Sequence, residues 1–542
     1  MSPPPVPSLT GFAPGRVEEV LAYANVSCPL ALKEILRLIF QFTERASLLA
    51  AATVSQLWST IALNTLLRAL PSIFPLLKLL APQTWFLDAT NYHESLLLSL
   101  ARADWGRFRQ YALRIRSVDV DYAEKADLPL DAAALVQTFH GTSPLLPNVK
   151  TITWRFINNR DCTSILPFLG PQLESLELRM AKLVDHSEQS LLMQSLLHRT
   201  PNLSVLRVAS FALAHQMSSS LASFISSLPK LVRLKLPAFF LTKEVVTTIA
   251  KLPVLTQLDY SDWKQTVETY HESGMCFEFS PGLFSHLDDL AFASFPTQMA
   301  KVLQAADHVG LLRSINLDCP AYYSEREIRT VFANLASGAR RLGSVQLLCS
   351  PVFDVAESSS TDSLSIDTIR PLFSCIGLGR FHLTAPHFAP LQNEDVLEMG
   401  ASWPEMHSLS LCPSPLTKRN LGAPFDILST FAKCFPNLQK LRLFFGSEVS
   451  EFDGDLHPAY QLTKLVTVGV GLSPVPRGRA QDIGFLLASL CQNPPSIESG
   501  PTGYHRGNSN TKEEMMAVIA ACSEARSAMK LAFRIKSFAV RK

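Results

Sequence analysis

One short phrase of apolar and variable positions recurs along most of the chain: an apolar residue, two variable ones, an apolar one, one variable, and an apolar one. Its copies are Ile115-Val118-Val120, Val149-Ile152-Trp154, Leu173-Leu176-Leu178, Leu203-Leu206-Val208 and Leu231-Leu234-Leu236. Leu255-Leu258-Tyr260, Leu287-Leu290-Phe292, Leu312-Ile315-Leu317 and Leu342-Val345-Leu347 follow. Leu378-Phe381-Leu383, Met406-Leu409-Leu411, Leu438-Leu441-Leu443 and Leu465-Val468-Val470 complete the thirteen. Alternation inside the phrase predicts a short strand with one buried face. Several copies are preceded by a proline, as in LPNVKTI, TPNLSVL, LPKLVRL, WPEMHSL and FPNLQKL, and proline ends a helix and directs the chain into extended backbone. Between the phrases lie helical patterns. Leu221, Phe224, Ile225 and Leu228 repeat at i, i+3, i+4 and i+7, as do Ile328, Val331, Phe332 and Leu335.

Strand, turn, helix and turn at this period resembles a leucine-rich repeat, whose parallel strands line the concave side of a horseshoe. The expected fold class is α/β. Spacings run from 24 residues (Val149 to Leu173) to 36 (Leu342 to Leu378), so an irregular curve is expected. Where the familiar repeat places Asn or Cys, four successive copies carry Phe211, Phe239, Trp263 and Phe295. Aromatic rings cannot supply that hydrogen bonding, so they are expected to fill the interior.

The first part of the chain reads differently. From Cys28, Ile35, Leu38, Ile39 and Phe42 fall on one helical face while Leu36 and Phe40 mark a second on the same segment. A short helix with two apolar faces needs two partners. Leu48, Ala51 and Ala52, then Val54, Trp58 and Ile61, then Leu63, Leu66, Leu67 and Leu70 predict two more short helices. The order Pro29, Glu34-Ile35-Leu36, Ile39-Phe40, Leu48-Leu49-Ala50-Ala51, Val54-Ser55, Trp58 and Leu67-Arg68 resembles an F-box.

Together the two parts resemble F-box proteins with leucine-rich repeats, a kind abundant in fungi. The resemblance implies a small all-α module that binds a Skp-type adaptor, and through it a cullin scaffold, with the repeats holding a target for ubiquitin transfer. By position, Pro29, Leu30, Ile35, Leu36, Ile39 and Phe40 would contact the adaptor, with Val54 and Trp58 completing the helical trap. The organisation expected is a leader over 1–26, the F-box module over 27–70, a helical connector over 71–110, the solenoid over 111–475 and a C-terminal cap over 476–542. The rival reading makes the first module a solenoid cap on an interaction scaffold with no ubiquitin-ligase role. A cap leaves no large apolar patch in water, whereas an F-box without its partner is expected to expose Leu36 and Phe40.

Composition narrows the partners. Hydrophobic residues make up 47% of the 542 and charged ones 18%, enough for a continuous core. Lys plus Arg number 49 against 47 Asp plus Glu, a formal +2 that argues against bulk capture of nucleic acid or of a membrane surface. No uninterrupted apolar run reaches the ~18 residues of a membrane span, and MSPPPVPSLTGFAPG lacks the basic start and apolar run of a secretory signal. A cytoplasmic or nuclear protein is expected. Ten cysteines stand without any CxxC pair, so buried reduced thiols are expected rather than metal or redox chemistry.

No GxSxG elbow, phosphate cradle, HExxH pair or GxGxxG turn is present, and no enzyme activity, cofactor or metal is expected. An unrecognised hydrolase with an outer-loop site is the distant alternative. Target-binding residues are sought at the variable positions of the strands. There Glu177, Arg179, Arg207, Arg233 and Lys235 adjoin Asp259, Asp262 and Asp289, either as a recognition surface or as mutual ion pairs. Ser358-Ser359-Ser360-Thr361-Asp362-Ser363 reads as a loop open to phosphorylation, and Thr511 with Glu514 as a capping box opening a last helix to Phe533.

Overall fold

The computed structural model describes residues 29–80, 100–120, 143–156, 164–180, 186–209, 214–237, 242–261, 286–305, 311–319, 323–338, 341–349, 363–415, 422–446, 462–471, 473, 480–491, 495–499 and 520. The expected leader, the aromatic positions Phe211, Phe239 and Trp263, Asp262, Ser358 through Asp362, and the capping box at Thr511 lie outside them. The chain divides into two compact units, Met1–Arg155 with Thr163–Leu173, and Phe156–Cys162 with Glu174–Lys542.

In the first unit three helices come first: α1 (Pro29–Gln41), α2 (Arg45–Ala51) and α3 (Gln56–Leu66). Ser55 starts α3 by accepting the Trp58 amide on its hydroxyl, satisfying one of the donors a helix start leaves free. Leu36, Phe40, Leu48, Ala51, Ile61, Ala62 and Leu66 close on one another as a small core. Ala69–Leu70 then forms strand β1, although the sequence pattern placed Leu70 on the third helix. Pro71 accounts for the difference, since the residue before a proline is pushed out of the helical region. Two further helices, α4 (Phe74–Leu77) and α5 (Trp105–Ala112), precede β2 (Ser117–Val120) and β3 (Thr151–Phe156). The three strands run parallel, with Leu70 opposite Val118 and Val118 opposite Ile152.

The second unit is an α/β leucine-rich repeat solenoid. Its strands are β4 (Ser175–Met180), β5 (Val205–Ala209), β6 (Arg233–Pro237), β7 (Gln257–Ser261), β8 (Asp289–Ala293) and β9 (Ser314–Cys319). They continue as β10 (Ser344–Cys349), β11 (Arg380–Thr384), β12 (Ser408–Leu411), β13 (Lys440–Leu443), β14 (Thr467–Gly471) and β15 (Ser496–Ser499). Each pairs in parallel with the next in chain order. The middle apolar residue of every phrase stands in register with its neighbours, from Leu176, Leu206, Leu234 and Leu258 through Leu290, Ile315 and Val345 to Phe381, Leu409, Leu441 and Val468. A slip of one residue would turn this whole set toward water, so the register is strongly specified.

Between the strands run α6 (His186–Leu196), α7 (Ala214–Ser226), α8 (Lys243–Ile249), α9 (Pro296–Ala305), α10 (Glu325–Gly338), α11 (Ile366–Ile369), α12 (Asn393–Ser402), α13 (Ile427–Cys434) and α14 (Ala480–Leu490). The stripes Leu221, Phe224, Ile225 and Ile328, Val331, Phe332, Leu335 are fully buried against the sheet side. Phe295, the described member of the expected aromatic ladder, is only half-buried at the start of α9. Among the described residues, other rings fill the interior. Trp403 packs on Phe373 and Phe381, with centroids 5.1 and 5.4 Å apart, and Phe381 meets Phe332 at 6.0 Å. Cys319, Cys349, Cys375, Cys412 and Cys491 are buried thiols. Burial drives the Cys412 thiol up to about 12, which keeps it protonated.

Neighbouring repeats are also joined through Glu325. Its carboxylate accepts from the hydroxyls of Ser365 at 2.6 Å and Thr368 at 2.7 Å. The Ser365 bond, then Thr368 and the charge of Arg329, hold Glu325 below its ordinary value against the opposing effect of burial. A lowered carboxylate stabilises the fold above the ordinary carboxylate range, and that contribution is lost as the pH falls through about 4 and below. Glu325→Gln is therefore expected to flatten the decline of unfolding free energy, measured by denaturant titration, between neutral pH and pH about 3. An unchanged slope would remove Glu325 from this role.

Candidate functional site

On the first unit, α1 carries both apolar faces that its sequence contains, and they meet different fates. Leu36 and Phe40 turn into the three-helix core, 6% and 3% exposed. That overturns their expected exposure: the i, i+4 pair is the face that α2 and α3 cover. Ile35, Leu38 and Ile39 remain more than half exposed, and Phe42 is 89% exposed. Leu49 and Val54 are also exposed, and Trp58 is partly so, its ring edge-on to Phe40 with centroids 5.5 Å apart. Pro29 and Leu30 form the first turn of α1.

A contiguous helical stripe of four large apolar side chains in water is unusual for a finished surface, and exposed patches of this kind occur at interaction sites. The stripe is flanked by Glu34 and Arg37, which pair with each other at the solvent side. Behind it, the Arg114 guanidinium donates to the Thr60 carbonyl at 3.1 Å and to Asn64 Oδ1 at 2.7 Å, fastening α3 to the segment that leads into β2.

On the solenoid sheet, the expected target-binding residues come together on one face. Glu177, Arg207, Lys235 and Asp259 stand side by side across β4 to β7, and Arg233, Gln257 and Asp289 form the adjacent column. Once there, most are taken up by one another. Glu177 accepts from Arg179 at 2.7 Å and faces Arg207 at 3.5 Å. Lys235 meets Asp259 at 2.9 Å, and the Gln257 amide donates to Asp289 at 2.7 Å. Exposed pairs of this kind are worth ~0–1 kcal/mol each. In strand order the cations Arg207, Arg233 and Lys235 on β5 and β6 stand between Glu177 on β4 and the carboxylates Asp259 and Asp289 on β7 and β8.

Farther along, the same two columns give a different surface. Arg380, Ser408 and Lys440 occupy one column of β11 to β13, and His382, Ser410 and Arg442 the other. His382 Nε2 lies 2.8 Å from Ser408 Oγ. Burial, then the charges of Arg442, Arg380 and Lys440, lower its pKa, so the imidazole is neutral at physiological pH. Arg442 reaches across β14 to Glu498 on β15, 2.5 Å away. Gly469 permits this crossing, because a Cβ there would fall 2.5 Å from Arg442 Cγ. Reading both variable positions of each phrase, rather than one, brings out the cations surrounding His382.

Among the described residues no group of three or more His, Cys, Asp or Glu is arranged to hold a metal ion, and no helix is long and apolar enough to cross a membrane. A hollow of about 570 Å³ lies on the sheet face between Asp289 and His407, bordered by Arg313, Ser344, Arg380 and Glu405.

No family model matches the sequence, and no curated protein matches it. Among solved structures the chain is similar to one described as the crystal structure of the Rad7 and Elc1 complex in yeast. The likeness covers 85% of this chain and 98% of that chain at 12% identity, with a TM-score of 0.38. A similarity that loose transfers neither architecture nor activity.

Proposed function

We propose that this chain is a substrate-recognition subunit of a Skp-cullin-F-box type ubiquitin ligase, acting in the cytoplasm or nucleus. The helices α1 to α3 dock a Skp-type adaptor, the adaptor connects to a cullin scaffold, and the solenoid sheet holds a client protein. The chain contributes no catalytic residue. Its part is proximity, which raises the effective concentration of the client at the ubiquitin-carrying site.

One observation carries this reading: the stripe Ile35, Leu38, Ile39 and Phe42 is open to water although the module beneath it is already closed on its own core. A helical cap has no use for such a stripe. The F-box resemblance supplies the occupant, with Ile35, Ile39, Val54 and Trp58 as contact residues and Leu36 and Phe40 as the support that holds α1 in place.

The test is co-expression of the full chain with a Skp-type adaptor followed by size-exclusion chromatography. A stable one-to-one complex is expected. Separate elution of the two chains would favour the interaction scaffold without a ligase role.

A further inference from the structure

The client-binding surface implied by the proposed function is narrower than the whole sheet. We propose that the face of β11 to β13 binds an extended, carboxylate-rich peptide segment of the client, laid across the strands with acidic residues three apart, through Arg380 and Lys440. This rests on the reading of the solenoid as a client receptor, and adds where the client sits and what chemistry it brings.

Charge is the first argument. Among the described residues neither Arg380 nor Lys440 is paired with a carboxylate, in contrast to Arg179, Arg207 and Lys235 on the earlier strands. Both are exposed, and the serine between them is buried beneath the layer they form. The charges that act on His382 are all positive. A cationic strip on a protein of near-zero net charge is therefore a local feature.

Spacing is the second. Arg380 and Lys440 share one column two strands apart, about 9.5 Å at the usual strand separation. In a polyproline II segment, which is extended, three residues rise about 9.3 Å and complete one turn, so acidic side chains at i and i+3 lie on one face and reach both cations together. Single charges spread at this interval suit single-charge carboxylates better than one convergent phosphate. Glu498 already shows the match within the molecule, since it takes up Arg442 on the same face.

The strip also argues against nucleic acid. Base stacking needs aromatic rings on the binding face, and the aromatic residue of β11, Phe381, is buried on the other side of the strand.

The experiment uses the full chain and a fluorescein-labelled ten-residue peptide of Gly and Ser with Glu at every third position, read by fluorescence anisotropy. Binding of this peptide, loss of binding by its Gln counterpart, and weakening of about tenfold or more in Arg380→Ala/Lys440→Ala support the proposal. Arg207→Ala, which removes a cation already paired, is expected to leave affinity unchanged. Equal binding of the Glu and Gln peptides, or no effect of the double substitution, would overturn it. So would binding confined to a phosphoserine version of the peptide or to a twelve-nucleotide single-stranded RNA. Adaptor co-elution is measured on the same double variant. It reads the first unit alone, so retained co-elution with no peptide binding sinks this inference and leaves the ligase assignment standing.

Discussion

Serine at both Ile35 and Ile39 is expected to weaken adaptor capture by ~100-fold or more while leaving the chain's unfolding unchanged. Each isoleucine is 53% exposed, so docking would remove the remaining half of two large side chains from water. Full burial of such a side chain is worth ~1.5–3 kcal/mol, and two half-burials with their packing contacts give about 3 kcal/mol, or two decades of affinity. Exposed positions of this kind change stability by about 0.5 kcal/mol or less. Phe40→Ala, one residue away, has the opposite signature. Its ring is closed in the core against Trp58, and its loss costs ~3–5 kcal/mol, enough to unfold a three-helix module of marginal size. Pull-down paired with circular dichroism separates the two. Undiminished capture by the serine pair, with the module folded, would show that the stripe is not the docking face.

The second large effect lies in the solenoid. Trp403→Ala is expected to cost ~3–5 kcal/mol in guanidinium titration, near the upper end for a core truncation. Trp403 is fully buried after α12, its indole donates to the Leu372 carbonyl at 3.1 Å, and its ring joins Phe373 and Phe381. The ring thus joins two adjacent repeats, and repeat stability is a sum of local terms and nearest-neighbour couplings. Removing the coupling should therefore split one unfolding transition into two, visible as a broadened calorimetric endotherm. Trp403→Phe keeps most of the packing but leaves the carbonyl unsatisfied, and a smaller cost of ~1–3 kcal/mol is expected. A single sharp transition in Trp403→Ala, displaced by less than a degree, would contradict the bridging role.

The strands were legible because their information is local. Each of the thirteen phrases became a strand with its middle residue facing the core, and period-two alternation requires no knowledge of the rest of the chain. The two strands the phrase did not announce lie at the ends of the series. Ala69–Leu70 is too short to show a period, and Ser496–Ser499 has only Ile497 as an apolar residue. Which face of α1 turns inward was a different kind of question. Both stripes are apolar, and only the angle at which α2 and α3 approach selects Leu36 and Phe40. Likewise, the charges at Glu177 through Asp289 were legible as a cluster, but their mutual pairing depends on strand register. The cations at Arg380 and Lys440 became a strip only when β11 and β13 stood in line.

Residues 67 and 68 alone separate the end of α3 from β1, and Arg114 locks α3 from the other side. The hook therefore has no tether. Torque on these helices passes straight into the first strands, so any body docked on α1 inherits a fixed bearing relative to β1 and β2 instead of swinging through a cone.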